Sequence, residues 1–167
     1  MTIPFNADEI FEMAEQIERN GARFYRRAAE GVMDPRNRQL LLHLATTEDE
    51  HEKAFASMRA NLATGEREAP VFDPDGQAAH YLRAMADEHV FDVKADPTTL
   101  FTGKETMEDI LQTAMGMEKD SIVFYLGMKD LVPERLGKGR IDDIIKEEMG
   151  HLASLSRELA GLRNELS

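Results

Sequence analysis

The chain has 167 residues and a formal net charge of −12, and it contains no cysteine. Disulfides, thiolate metal sites, iron–sulfur clusters and thiol nucleophiles are therefore excluded, and any metal must be held by nitrogen and oxygen ligands. The acidic balance argues against nucleic acid as a partner, because phosphate binding needs clustered Lys and Arg. An apolar share of 42% supplies a core for one domain over residues 1–167, and the 31% charged share supplies a solvated surface. The first sixteen residues show no basic stretch followed by an apolar one, and no run reaches a membrane-spanning length. The expectation is a cytoplasmic protein without a membrane partner.

In chain order, residues 6–30 read as a helix with Asn6 as its cap and the stripe Ile10, Ala14, Ile17, Gly21, Phe24, Ala28. Gly31 is a stop, and Asp34-Pro35 is a cap with proline in the first turn. A second helix follows over 35–64, with Leu41, Leu44, Glu48, His51, Phe55, Met58 and Leu62 on one face. Residues 65–105, broken by Gly65, Pro70, Pro74, Gly76, Pro97 and Gly103, form a long connection. A short helix over 77–91 lies within it, with Tyr81, Leu82, Met85 and Val90 as its apolar side. The third long helix covers 105–131, with Leu111, Ala114, Glu118, Ile122, Tyr125 and Met128 in line. The fourth covers 140–165, with Ile141, Ile144, Glu148, His151, Leu155 and Leu162 in line. No strand pattern occurs. The expected fold is all-α: two helical hairpins, 6–64 and 106–165, joined by a crossover with a short helix into a four-helix bundle.

The decisive feature is a repeat. Glu18, Glu48 and His51 recur as Glu118, Glu148 and His151, each 100 positions later. Each half reads Glu, a gap, then Glu-x-x-His, which is the ligand arrangement of a two-metal carboxylate site in a four-helix bundle. Phe24-Tyr25 recurs as Phe124-Tyr125 at the same offset. A lone Glu-x-x-His is more often a surface pair. Here the four carboxylates and both imidazoles fall on otherwise apolar stripes.

Hairpin geometry brings them level. Residues equidistant from an antiparallel turn lie at one height, and the midpoints of Glu18/Glu48 and Glu118/Glu148 fall at positions 33 and 133, beside the two turns. The i, i+3 step puts each His about 4.5 Å further along the same face. Four unpaired carboxylates in a core are costly, and two divalent cations would balance them. Glu48 and Glu148 are the expected bridges. Oxygen and imidazole ligands suit iron or manganese, with zinc as an alternative. Tyr25 and Tyr125 lie two turns beyond Glu18 and Glu118, placed to hydrogen-bond ligands of neighbouring helices. Glu147 is a candidate extra ligand or supporting acid. Asp49, Glu50 and Asp120 point off the ligand face, and His43, His80 and His89 read as surface or satisfied polar residues. His51-Glu52 does not open a zinc-protease motif, since position 55 is Phe.

Four segments carry a resemblance: Ile17-Glu-Arg-Asn-Gly-Ala-Arg-Phe-Tyr25, Thr47-Glu-Asp-Glu-His51, Glu118-Lys-Asp-Ser-Ile-Val-Phe-Tyr125 and Ile144-Ile-Lys-Glu-Glu-Met-Gly-His151. Over nearly its whole length the chain resembles the ferritin-like superfamily and, within it, the rubrerythrin-like di-iron proteins. The resemblance implies two iron ions held by Glu18, Glu48, His51, Glu118, Glu148 and His151. It also implies reduction of peroxide or oxygen, oxidation of ferrous iron, or iron handling. The chain departs from the family in two places. It has no Cys-rich rubredoxin-like module, so the electron donor is expected to be a separate protein. It also has Met115 and Ser121 where an additional carboxylate would flank Glu118. The expected assembly is a homodimer. An iron-storage protein and a metal-stabilised structural protein holding zinc or manganese are the alternatives.

Overall fold

A computed structural model describes residues 5–88 and 96–167. Among the described residues, six α-helices follow in order: α1 (Ala7–Gly31), α2 (Pro35–Ala60), α3 (Thr64–Glu68), α4 (Gln77–Glu88), α5 (Met107–Met128) and α6 (Lys138–Leu166). Two 3-10 turns, Pro97–Leu100 and Glu134–Leu136, complete the regular structure, and among the described residues there is no strand beyond one isolated bridge, Asn6 to Pro70. The long helices α1, α2, α5 and α6 make a four-helix bundle from two hairpins. Among the described residues, no helix is long and apolar enough to cross a membrane.

Local chemistry sets the helix ends. Asn6 and Glu9 form a reciprocal capping box at the start of α1, and Thr106 and Asp109 form another at the start of α5. The Asp34 side chain accepts from the amides of Arg36 and Asn37, with Pro35 in the first turn of α2. Gly137 has φ +98°, a left-handed conformation that lets the chain leave the Val132–Leu136 turn and enter α6 without a Cβ penalty.

The second helix is shorter than the expected 35–64. It ends at Ala60, and the chain restarts as α3. Side chains satisfy the last α2 carbonyls: the Asn61 amide donates to the Ser57 carbonyl at 2.8 Å, and the Arg67 guanidinium donates to Arg59 at 2.7 Å and Ala60 at 3.3 Å. Arg59 and Arg67 also share Asp8, at 2.9 and 2.8 Å, which fastens this end of α2 to the start of α1. The short helix expected over 77–91 is α4, ending at Glu88. Val90 and His89 lie outside the described residues.

The core runs along the bundle axis. Ile10, Phe11, Ala14 and Phe24 of α1, Leu41, Leu44 and Phe55 of α2, Leu111, Ala114 and Met128 of α5, and Ile144 and Leu155 of α6 are all buried. The crossover covers α1 and α5. Phe101 lies against Phe24, ring centroids 5.1 Å apart, with the Arg27 guanidinium 5.6 Å above it. On α4, Leu82 is buried, and the Tyr81 hydroxyl donates to the Val123 carbonyl of α5 at 2.5 Å.

Tyr81 can reach α5 because position 127 is glycine. A Cβ there would stand 2.4 Å from Tyr81 Cε1. In an exposed helix, Gly to Ala gains roughly 1 kcal/mol. Here Gly127→Ala must push an aromatic ring off α5, and overpacking of that kind costs about 1–3 kcal/mol. Denaturant unfolding of this variant should therefore show lowered stability. A more stable variant would mean that α4 does not dock there.

Candidate metal centre

Each long helix brings one carboxylate to the middle of the bundle. Glu18 and Glu148 have no solvent exposure, and Glu48 and Glu118 are 2% exposed. His51 is also fully buried, whereas the His151 side chain is 11% exposed. The side chains form two overlapping groups of four, Glu18–Glu48–His51–Glu148 and Glu48–Glu118–Glu148–His151. In each group one ligand-type atom per residue lies within 4.8 Å of the others. Glu48 and Glu148 belong to both groups, so their carboxylates stand where bridges between two cations would stand.

Both imidazoles aim Nδ1 inward. His51 Nδ1 lies 2.9 Å from Glu148 Oε1 and 3.4 Å from Glu18 Oε2. His151 Nδ1 lies 2.9 Å from Glu148 Oε2, 3.5 Å from Glu48 Oε1 and 3.6 Å from Glu118 Oε1. His51 Nδ1 and Glu148 Oε1 are hydrogen-bonded, whereas the His151 approaches lack hydrogen-bond angles. His151 Nδ1, Glu18 Oε2, Glu48 Oε1 and Glu148 Oε2 are all buried without a hydrogen-bond partner. Buried polar atoms are almost always satisfied, so four orphans in one layer call for a group that can accept their lone pairs. Three carboxylate oxygens and one imidazole nitrogen around each position fit a divalent cation of the iron or manganese kind.

The tyrosines tie the hairpins together through this layer. The Tyr25 hydroxyl donates to Glu118 Oε1, and the Tyr125 hydroxyl donates to Glu18 Oε1. Each bond crosses from one hairpin to the other, leaving the second oxygen of Glu18 free to face inward. Phe55 packs on Tyr125 at 5.0 Å between centroids and walls the layer from the α2 side. Glu147 approaches His51 from the other side, 2.7 Å from Nε2.

Electrostatics follow from the burial. Desolvation, then the neighbouring carboxylate charges, pushes the Glu18, Glu48, Glu118 and Glu148 carboxyls above their ordinary range. Burial opposes protonation of the imidazoles, but the surrounding carboxylates overcome it and raise His51 to about 11 and His151 to about 12. Burial also raises both tyrosines, and the neighbouring glutamates add to the shift. Partial burial pushes Glu147 up, yet the His51 ring and Arg140 hold it below the usual range.

The remaining candidates lie off this layer. Asp49 pairs with Arg26, Glu50 is exposed, and Asp120 is half-buried. His43 and His80 are exposed. Sequence reasoning puts Gly21 only on an apolar stripe. A Cβ there would stand 2.6 Å from Glu48 Oε2, so the bare backbone of α1 is what lets that carboxylate into the layer. Asn20 is buried, with Gln16 donating to its Oδ1 at 2.8 Å. No periodic pattern marks it.

A model of the rubrerythrin family matches residues 9–159. The chain belongs to the rubrerythrin family. The match spans both hairpins and all six residues of the layer. A crystal structure of a chain from Thermotoga maritima, named as a ferritin-like diiron-carboxylate protein, superposes with a TM-score of 0.70. It is 22% identical, covering 94% of this chain and 96% of that one, and shows that the rubrerythrin-family chain has the ferritin-like fold. No curated protein sequence matches.

Two outcomes follow from the centre. Gly21→Ala should fold, because the Glu48 carboxylate can swing aside. It should also lower affinity for divalent cations at least about tenfold, as displaced ligand shells do; calorimetric titration with Co2+ would read this. The second concerns pH. The buried carboxyls and both imidazoles hold protons more tightly folded than unfolded. In the metal-free protein their contribution is therefore full at low pH. It is lost as pH rises above 4.5 for the glutamates, and from 6.5 towards about 11 and about 12 for the histidines. The melting temperature of the metal-free protein should fall steadily from about pH 5 to about pH 9. A rise over that window would contradict the assignment.

Proposed function

We propose that this rubrerythrin-family chain is a non-haem di-iron oxidoreductase. It would reduce peroxide or oxygen, or oxidise ferrous iron, at a carboxylate-bridged pair of metal ions. The observation that carries the reading is the buried layer of four carboxylates and two imidazoles with four orphaned atoms. Glu18 and His51 would hold one metal and Glu118 and His151 the other, with Glu48 and Glu148 shared. Two bound irons would supply the two electrons that, with two protons, convert one peroxide to two waters.

The chain's own residues would hold the ligands in position and exclude water. Tyr25 and Tyr125 keep Glu118 and Glu18 in fixed orientations across the hairpin interface. Preorientation of this kind prevents a ligand from relaxing away when the charge at the centre changes. Phe55 and Ile122 are buried, and Met115 packs against the core. These apolar walls keep bulk water out and strengthen the electrostatics inside. His151 is the partly exposed ligand, so a molecule as small as peroxide or oxygen would approach on its side. The given sequence has no cysteine to hold a rubredoxin-type iron, and a separate donor protein would supply the electrons.

The test is spectroscopic. Protein loaded anaerobically with ferrous iron, on adding one equivalent of hydrogen peroxide, should gain near-ultraviolet absorption of ferric iron within the mixing time of a stopped-flow instrument. Iron-loaded protein that shows no spectral change with peroxide or oxygen would overturn the reading. A large assembly that keeps taking up iron well beyond the roughly two sites of such a centre would assign storage instead.

A further inference from the structure

The 100-residue offset relates the two halves of the centre, so each neighbour of His51 has a counterpart near His151. One contact breaks the relation. Glu147, on α6, reaches across to α2 and sets Oε2 2.7 Å from His51 Nε2. Arg140 steadies it from the same helix, with Nη1 3.4 Å from Glu147 Oε1. The counterpart of Glu147 is Thr47, whose hydroxyl donates to the His43 carbonyl of its own helix at 3.2 Å. The counterpart of Arg140 is Leu40, which carries no charge. Among the described residues, the carboxylates that contact His151 are Glu48, Glu118 and Glu148, all through Nδ1. His51 is thus gripped at both nitrogens and wholly buried. His151 meets carboxylates at Nδ1 alone, with no hydrogen bond, and reaches solvent.

The chemistry of a clamped imidazole is general. A carboxylate accepting from the outer N–H fixes the tautomer, orients the ring and makes the inner nitrogen a stronger donor to a metal. A ring without that partner must pay the ordering cost on binding.

We infer that Glu147 is a positioning residue that makes the two cation positions unequal. The position closed by His51 takes a divalent cation first and holds it tightly. The one closed by His151 fills second and exchanges. The inference rests on the two-metal reading above and adds to it an order of loading that the repeat alone would not give.

The experiment is a titration of the metal-free full chain with Co2+, followed by calorimetry and by visible d–d absorption. Wild type should bind in two resolved steps. His51→Ala should remove the tighter step and His151→Ala the weaker. Glu147→Gln keeps the size of the side chain but loses its charge. It should weaken the first step about 10- to 100-fold and leave the second within about twofold. Arg140→Ala should weaken the first step less. Because Glu147 is half exposed and solvent screens its pairing with His51, the metal-free variant should melt within a few degrees of wild type, which separates positioning from folding. Two equal steps in wild type, a Glu147→Gln variant whose first step is unchanged, or one in which both steps weaken alike would each overturn the inference and leave the two-metal reading standing. Wild-type protein that takes no Co2+ at all would remove both.

Discussion

Everything in this fold is arranged around the cost of four carboxylates buried in one layer. An isolated carboxylate loses several kcal/mol on leaving water, and four of them side by side repel one another as well. Without cations the layer compensates by holding protons, on glutamates whose affinity is raised and on two imidazoles. Divalent cations answer the same demand more completely, because one cation can receive several lone pairs at once. The wall of Phe, Ile and Leu around the layer makes that demand steep. Such a core favours a metal-loaded state over a metal-free one far more than a solvated cluster of acids would.

The two hairpins solve the geometric side. Turns centred near Met33 and Pro133 bring the paired carboxylates to one height, and Tyr25 and Tyr125 lace the halves together. The near-symmetry is a scaffold on which differences matter. Gly21 admits Glu48 against the α1 backbone, while the same place in the other half is Ser121, a buried residue whose hydroxyl donates to the Met117 carbonyl. Glu147 clamps one imidazole only. The surroundings of the two imidazoles therefore differ through single side chains on a common frame.

Most of the bundle was legible in the sequence. The apolar stripes of the four long helices predict their buried faces, because a period of 3.6 leaves one side of each helix unbroken. The ligand layer was legible for the same reason: Glu48, His51, Glu118 and Glu148 interrupt those stripes, and a charged residue on a buried face needs an explanation. What stayed hidden depends on contacts between distant segments. The break at Asn61 rests on an arginine six residues later that reaches back to α2. The closeness of α1 to Glu48, and of Tyr81 to Gly127, is invisible until the helices are packed. Glu147 is a candidate in the sequence because it adjoins Glu148, but its reach across to His51 of α2 shows only once the helices are packed. In the crossover, short segments separated by Pro and Gly carry too little periodicity to fix their ends.

The most direct test of the central claim is metal content per chain, by mass spectrometry, on protein expressed with ample iron and purified without chelators. Roughly two irons per chain, lost when Glu48 and Glu148 are both replaced by Gln, is the predicted result. A folded protein that holds no metal and refuses reconstitution with iron, manganese or zinc would contradict it.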